Sequence, residues 1–205
     1  MPKIILVRHG QSKANVAGRS GNAGTMLTQQ GQGDASRAAR NILREHGHRD
    51  LAVISSSYRR ARHTAKPLAR ALGVKVQVQD GVHERDLGAL KHVDASTWGL
   101  MPGYYMPGGN ALNPDFRPPH GESLRDVQRR AVPALHDAIK KNPGKDLVIF
   151  THGHTARALE AHFRGTWKGT TNWQNGEHRA FDYEPRSVEE ESRADALIRH
   201  ALEER

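Results

Sequence analysis

The chain contains no cysteine, which excludes disulfides and thiolate zinc sites together. No window approaches the apolar length of a membrane span. The first strand begins almost at the N-terminus, leaving no room for a charged region followed by a long apolar one. Internal repeats and low-complexity tracts are missing from the 205 residues, a length that suits one domain with a sizeable core. Missing too are the carboxylate-rich strand ends on which two-metal phosphatases rely. These absences lead us to expect a soluble cytoplasmic protein that works without a metal or other cofactor.

What the chain has in excess is positive charge. It carries 31 Lys and Arg against 22 Asp and Glu, a formal net charge of +9. That balance invites a nucleic-acid reading, yet the basic residues are spread from Lys3 to Arg205. The densest run, Arg59, Arg60, Arg62, His63 and Lys66, opens a helix directly after a strand. A compact cluster in that place suits a small anionic substrate at least as well as a long polyanion.

Apolar patterning supplies the framework. Ile4, Ile5, Leu6 and Val7 read as a strand buried on both faces, ending on Arg8-His9-Gly10. A helical turn follows over 12–17, then a Gly- and Ser-rich loop. Thr28 caps a helix whose buried stripe is Ala35, Ala38, Ala39, Ile42 and Leu43. Residues 51–55 form a second strand, and a helix with Ala61, Ala65, Leu68 and Leu72 inward runs to Gly73. Alternation over 74–78 predicts a third strand. Residues 80–90 look irregular and carry Glu84-Arg85, while 92–119, rich in Gly, Pro and aromatics, reads as an insertion serving as lid or substrate wall. Its Trp98, Tyr104, Tyr105 and Phe116 favour a substrate with an apolar or stacking portion, although core packing explains some of these aromatics equally well. After Gly121-Glu122-Ser123 comes a helix that Pro133 is expected to kink. The strand 146–151 ends on His152-Gly153-His154, with a helix beyond it. Asn175-Gly176 signals a hairpin joining 171–174 to 177–183. Residues 1–185 thus form one domain, and 186–205 an amphipathic C-terminal helix that docks on the body or on a second subunit in a homodimer.

Strands alternating with helices predict an α/β fold, a three-layer α/β/α sandwich with a mostly parallel central sheet. In such a sheet the strand ends point the same way, so Arg8-His9, the Ser55–Arg62 turn and His152 can converge. A neutral imidazole beside an always-charged arginine suits attack on a phosphoryl group. Glu84 adds a carboxylate able to protonate a leaving alkoxide.

The ordered set Leu6-Val7-Arg8-His9-Gly10-Gln11-Ser12, Leu27-Thr28-x-x-Gly31, Ser55-Ser56 with Arg60-Ala61, Glu84-Arg85, Gly121-Glu122-Ser123 and His152-Gly153 resembles branch 1 of the histidine phosphatase (phosphoglycerate mutase-like) superfamily. The resemblance implies a phosphoglycerate mutase-like fold and a metal-independent reaction on a small phosphorylated substrate. It makes His9 the nucleophile that becomes phosphorylated, places Arg8, Arg60 and His152 around the phosphate, and makes Glu84 the proton donor and later the base for water. Asn15, Gln11, Arg85, Gly153 and His154 are the expected substrate-side neighbours. Burial and the bound phosphate are expected to raise the Glu84 pKa against the pull of Arg8 and Arg60.

Within that resemblance the expected activity is hydrolysis of phosphomonoesters. The alternative is a cofactor-dependent phosphoglycerate mutase, which would need Lys91 or Arg117 in place of the missing lysine and Arg-Arg clamp. A catalytically idle basic binding module of the same fold is the third reading, and the intact set Arg8, His9, Arg60, Glu84 and His152 speaks against it.

Overall fold

The computed structural model describes residues 2–47, 50–105 and 112–184. Its elements in chain order are β1 (Lys3–Arg8), α1 (Lys13–Val16), α2 (Gln29–His46), β2 (Leu51–Ser55), α3 (Arg59–Leu72), β3 (Gln77–Val78), α4 (Leu124–Lys141), β4 (Asp146–Thr151), α5 (Gly153–Arg164) and β5 (His178–Asp182). Two 3-10 helices, Gly88–His92 and Ala95–Leu100, lie between β3 and α4.

The sheet order is β3-β2-β4-β1-β5. Its first four strands are mutually parallel, and β5 adds an antiparallel edge on β1. Period-two alternation divides the strand residues between two cores. Ile4, Leu6, Ile54 and Ile149 face α4 and α5, while Ile5, Val7, Val53, Val148 and Phe150 face α2 and α3. Each of the four apolar residues of β1 is fully buried, and each such side chain contributes about 1.5–3 kcal/mol. Any shift of the strand that carries Arg8 and His9 is therefore costly. The α/β fold with helices on both faces of a mostly parallel sheet is the one the alternating pattern predicts.

Four local expectations are corrected. The third strand shrinks to Gln77–Val78, because residues 74 to 78 lie at the exposed sheet edge and bury almost nothing. Helix α4 runs unbroken through Pro133. That proline stands on the exposed face, where solvent can satisfy the carbonyl it frees. The Asn175-Gly176 turn exists, but 171–174 is not a strand. β5 pairs instead with β1, and the turn is tied to the end of β1, with Gly176 N–H donating to the carbonyls of Arg8 (3.1 Å) and His9 (3.3 Å). Within 92–119, Trp98 and Tyr104 do not face a substrate. They pack with Leu87, Leu90, Leu112 and Leu124 into a small third core, with Phe116 against it. The predicted C-terminal helix over 186–205 lies outside the described residues.

Candidate active site

His9 follows directly on β1, its N–H donating to the Thr151 carbonyl of β4 at 3.0 Å. Its ring is buried, at 2 % exposure. Nδ1 lies 2.7 Å from the Gly10 carbonyl, which can only accept. Nδ1 therefore carries the proton, and Nε2 carries the lone pair. Arg60 Nε donates to that lone pair at 3.0 Å. Burial, then the charges of Arg60 and Arg8, push the His9 pKa down to about 3, so the imidazole is neutral at physiological pH.

The turn that carries His9 is locked on both sides. Gly10 N–H donates to Thr64 Oγ1 at 3.0 Å, and Gln11 N–H donates to Asp34 Oδ2 at 3.0 Å. A Cβ on Gly10 would stand 2.3 Å from the Gly31 carbonyl oxygen, and one on Gly31 would stand 2.0 Å from that of Gln11. Both glycines are required so that the turn can press against the start of α2.

Three further groups surround the ring. Arg60, on the first turn of α3 and 2 % exposed, donates from Nη1 to the Asn22 carbonyl at 2.8 Å, with its guanidinium 5.0 Å from the Tyr58 ring centre. Arg8 is tied by one terminal nitrogen to the Trp173 carbonyl, while its Nε is buried with no hydrogen-bond partner. His152, the N-cap residue of α5, meets Ser56 Oγ through Nε2 at 2.9 Å, while its Nδ1 has no partner. Its ring stands edge-on to that of His9, 5.2 Å between centres. Burial, then Arg60, hold the His152 pKa well below the ordinary histidine value.

Glu84 sits beyond this group in irregular backbone, its Oε1 accepting from Arg85 N–H at 2.9 Å. In the free enzyme its titration runs opposite to the direction expected with phosphate bound. Burial does push its pKa up, but His154 at 3.7 Å, together with His152 and Arg60, outweighs burial and holds the carboxyl well below the ordinary range. The sequence offers no sign of this pairing with His154, the second residue of α5.

Glu84 lines a cavity of about 600 Å³ together with Arg19, Asn22, Tyr58, His83, Asp86, Lys91, His92 and His120. The wall is polar and charged, in contrast to the apolar wall expected from 92–119.

The other expected substrate neighbours are placed as follows. Gln11 turns away, its Oε1 accepting from Thr28 Oγ1 at 2.8 Å. Asn15 Oδ1 accepts from the Ser12 N–H and hydroxyl at 2.9 and 2.8 Å, closing the capping box of α1. Arg85 belongs to the cavity wall, yet its buried guanidinium points inward to the carbonyls of Glu122 and Phe116, both at 2.6 Å. Gly153 opens α5 beside Arg8, whose Nε lies 3.5 Å from where a Cβ would stand. Sequence reasoning placed Ser56 in a motif without a role of its own, and missed Tyr58 and Asn175. Asn175 Nδ2 donates to the His9 carbonyl at 3.0 Å, and its Asn-Gly signal was read only as a hairpin.

A neutral histidine with a fixed tautomer, one buried and one half-buried guanidinium group and a second histidine, gathered where parallel strands end, fit a class: α/β proteins that transfer phosphoryl groups through histidine. Comparison with known proteins narrows it. The model of the histidine phosphatase superfamily (branch 1) matches residues 4–195. A 2,3-bisphosphoglycerate-dependent phosphoglycerate mutase of Beijerinckia indica is 32% identical over 166 residues, covering 76% of this chain and 78% of the mutase. A metal-independent phosphoserine phosphatase of Arabidopsis thaliana is 31% identical over 161 residues, 77% of this chain and 66% of that protein. Among solved structures, a mycobacterial glucosyl-3-phosphoglycerate phosphatase shares the fold with a TM-score of 0.75 at 24% identity, covering 88% of this chain and 92% of its own. The chain belongs to branch 1 of the histidine phosphatase superfamily. It is an enzyme with the phosphoglycerate mutase-like fold.

Proposed function

We propose that this enzyme hydrolyses small, polar phosphomonoesters through a phosphohistidine on His9, acting in the cytoplasm and without a metal. The observation that carries this reading is the state of His9: neutral, with Nδ1 held by the Gly10 carbonyl and Nε2 beside Arg60. Nε2 attacks phosphorus, the bond from phosphorus to the ester oxygen breaks, and Glu84 gives that oxygen its proton. Water then attacks the phosphohistidine, Glu84 takes the water's proton, and inorganic phosphate leaves His9 as it was. Arg8 Nε and His152 Nδ1, buried and unpartnered, are suited to phosphate oxygens, because a buried donor without a partner carries its full desolvation cost until one arrives. Glu84 is ionised in the free enzyme, so its proton enters with the substrate, carried by the monoanionic ester.

A mutase reading has support in the relatives, several of which are phosphoglycerate mutases. Two ion pairs favour hydrolysis instead. Lys91 is engaged with Asp86 at 2.8 Å, and Arg117 with Asp126 at 2.5 Å, so each replacement for the mutase clamp already holds a carboxylate of this chain in the free enzyme. The test is incubation with a panel of phosphomonoesters in the absence of any bisphosphate. Release of inorganic phosphate is expected. Rapid interconversion of 2- and 3-phosphoglycerate with little phosphate released would overturn the assignment.

A further inference from the structure

Glu84 poses a positional problem that His9 does not. No helix or strand covers residues 79–87, so the ladder that fixes β1 is not available to the segment carrying the proposed acid. Its backbone is held all the same. The carbonyls of Gly81, His83 and Glu84 accept from the guanidinium of Arg130 at 2.5, 3.1 and 3.1 Å. The intervening carbonyl of Val82 accepts from Thr151 Oγ1 at 2.6 Å. Three of four consecutive carbonyls thus converge on one side chain of α4.

Arg130 is itself fixed from two directions. It is flanked on its helix by the fully buried Val127, Ala131 and Leu135, which seat α4 in the body. Its Nε and Nη2 meet Glu122 Oε1 and Oε2 at 2.7 and 2.9 Å, a bidentate pair with the directional fork that lysine lacks. Glu122 closes the far side of the segment. Its Oε2 accepts from Asp86 N–H at 2.8 Å, and its own N–H donates to the Asp86 carbonyl at 2.7 Å. Gly81 passes so near α4 that a Cβ there would stand 2.7 Å from that of Ala134. The stretch 81–86 is therefore clamped at both ends by one ion pair, with Glu84 between the clamps. Glu122 belongs to the Gly121-Glu122-Ser123 motif, to which the reaction assigns no other task.

We propose that Arg130 and Glu122 are positioning residues for Glu84, setting its carboxyl where the leaving oxygen departs. This rests on Glu84 being the proton donor. Arg130 does not line the cavity, and Glu122, which does, has both carboxylate oxygens engaged by Arg130 and the Asp86 N–H, so their effect should follow the need for a proton. Misplacing a catalytic group by about 1 Å costs up to roughly a hundredfold.

The test compares the single-turnover rate of phosphohistidine formation from an alkyl phosphate and from p-nitrophenyl phosphate, whose leaving group departs without a proton. In Arg130→Met the alkyl rate should fall roughly ten- to a hundredfold and the aryl rate less than about threefold. Arg130→Lys and Glu122→Gln, which keep part of the hydrogen bonding, should show the same split to a smaller degree, and they serve if Arg130→Met does not fold. Adding Arg130→Met or Arg130→Lys to Glu84→Gln should cost the alkyl reaction little more than Glu84→Gln alone, since residues acting through one another are non-additive. Equal losses on both substrates, full additivity, or no loss would overturn the proposal. Glu84→Gln run alone separates the two assignments. A split there without one in the Arg130 variants removes the brace alone, whereas no split in Glu84→Gln removes the acid and the brace with it.

Discussion

His9 hangs from a strand whose apolar residues are fully buried and which is paired on both edges, while Glu84 lies in a stretch held by side chains reaching its carbonyls. The two halves of the site do different work. The half at the strand ends must hold a phosphoryl group the same way for every substrate, and a parallel sheet provides that rigidity, since moving one strand breaks two ladders. The half built from residues 19–23, 83–92 and 120–122 must accommodate whatever the phosphate is attached to. Loops and a small separate core of Leu87, Leu90, Trp98 and Tyr104 can vary there without disturbing the sheet.

The largest effect should come from the rigid half and be blind to substrate. His9→Ala removes the nucleophile, and we expect turnover of alkyl and aryl phosphates alike to fall by roughly four powers of ten or more, with no covalent labelling. The ring stands beyond the packed part of β1, so far-UV circular dichroism should be unchanged. Substantial turnover in a clean His9→Ala preparation would mean that the two halves do not divide the chemistry as described.

A smaller, substrate-dependent effect should come from the variable half through pH. Because Glu84 is ionised in the free enzyme, kcat/KM for an alkyl phosphate should fall about tenfold per pH unit above the ester's second ionisation near 6. Phosphohistidine formation from p-nitrophenyl phosphate should stay nearly level across the same range. On the acid side the limit belongs to the rigid half. The folded His9 pKa of about 3 lies below its unfolded value, so the unfolded chain gains the proton first. Stability is whole above pH 6.5 and drops as pH falls toward 3, by about 1.4 kcal/mol per unit for this one group. Melting temperatures recorded from pH 7 to 4 should decline, and a flat series would contradict a buried neutral His9.

The same division explains what could be read in the sequence. Apolar strands ending on Arg8-His9 and His152-Gly153 declare both the sheet and the phosphate half, because regular elements carry periodic signals and their ends fall at fixed places. Thr28, Ser123, Gly73 and Gly47 mark helix ends for the same local reason. Arg130 gave no such signal, since a basic residue on a helix looks alike whether it faces water or three carbonyls 46 to 49 positions away. The aromatics of 92–119 left two readings open because composition says nothing about whether a ring packs inward or faces a ligand, and Trp98 and Tyr104 pack inward. The pull of His154 on Glu84 was not legible because that histidine reaches it only through the placement of α5, which the sequence leaves open.

The last expected effect is none at all, and it sharpens the comparison most. A metal-dependent phosphatase neutralises its phosphate with divalent ions held by carboxylates, whereas here guanidinium and imidazole groups stand at the strand ends. Arg60 is buried, Arg8 is half-buried with its Nε enclosed, both keep their charge, and His9 and His152 complete the group without a carboxylate among them. Glu84, the acidic group nearest to them, is committed to the leaving-group half. Among the described residues no cluster of three or more His, Asp or Glu side chains is arranged to hold a metal ion. Prolonged treatment with EDTA should therefore leave the hydrolysis rate unchanged within about twofold for alkyl and aryl phosphates alike. Loss of activity restored by a divalent ion would place a cation in the phosphate half, and the neutral His9 would then need a role other than nucleophile.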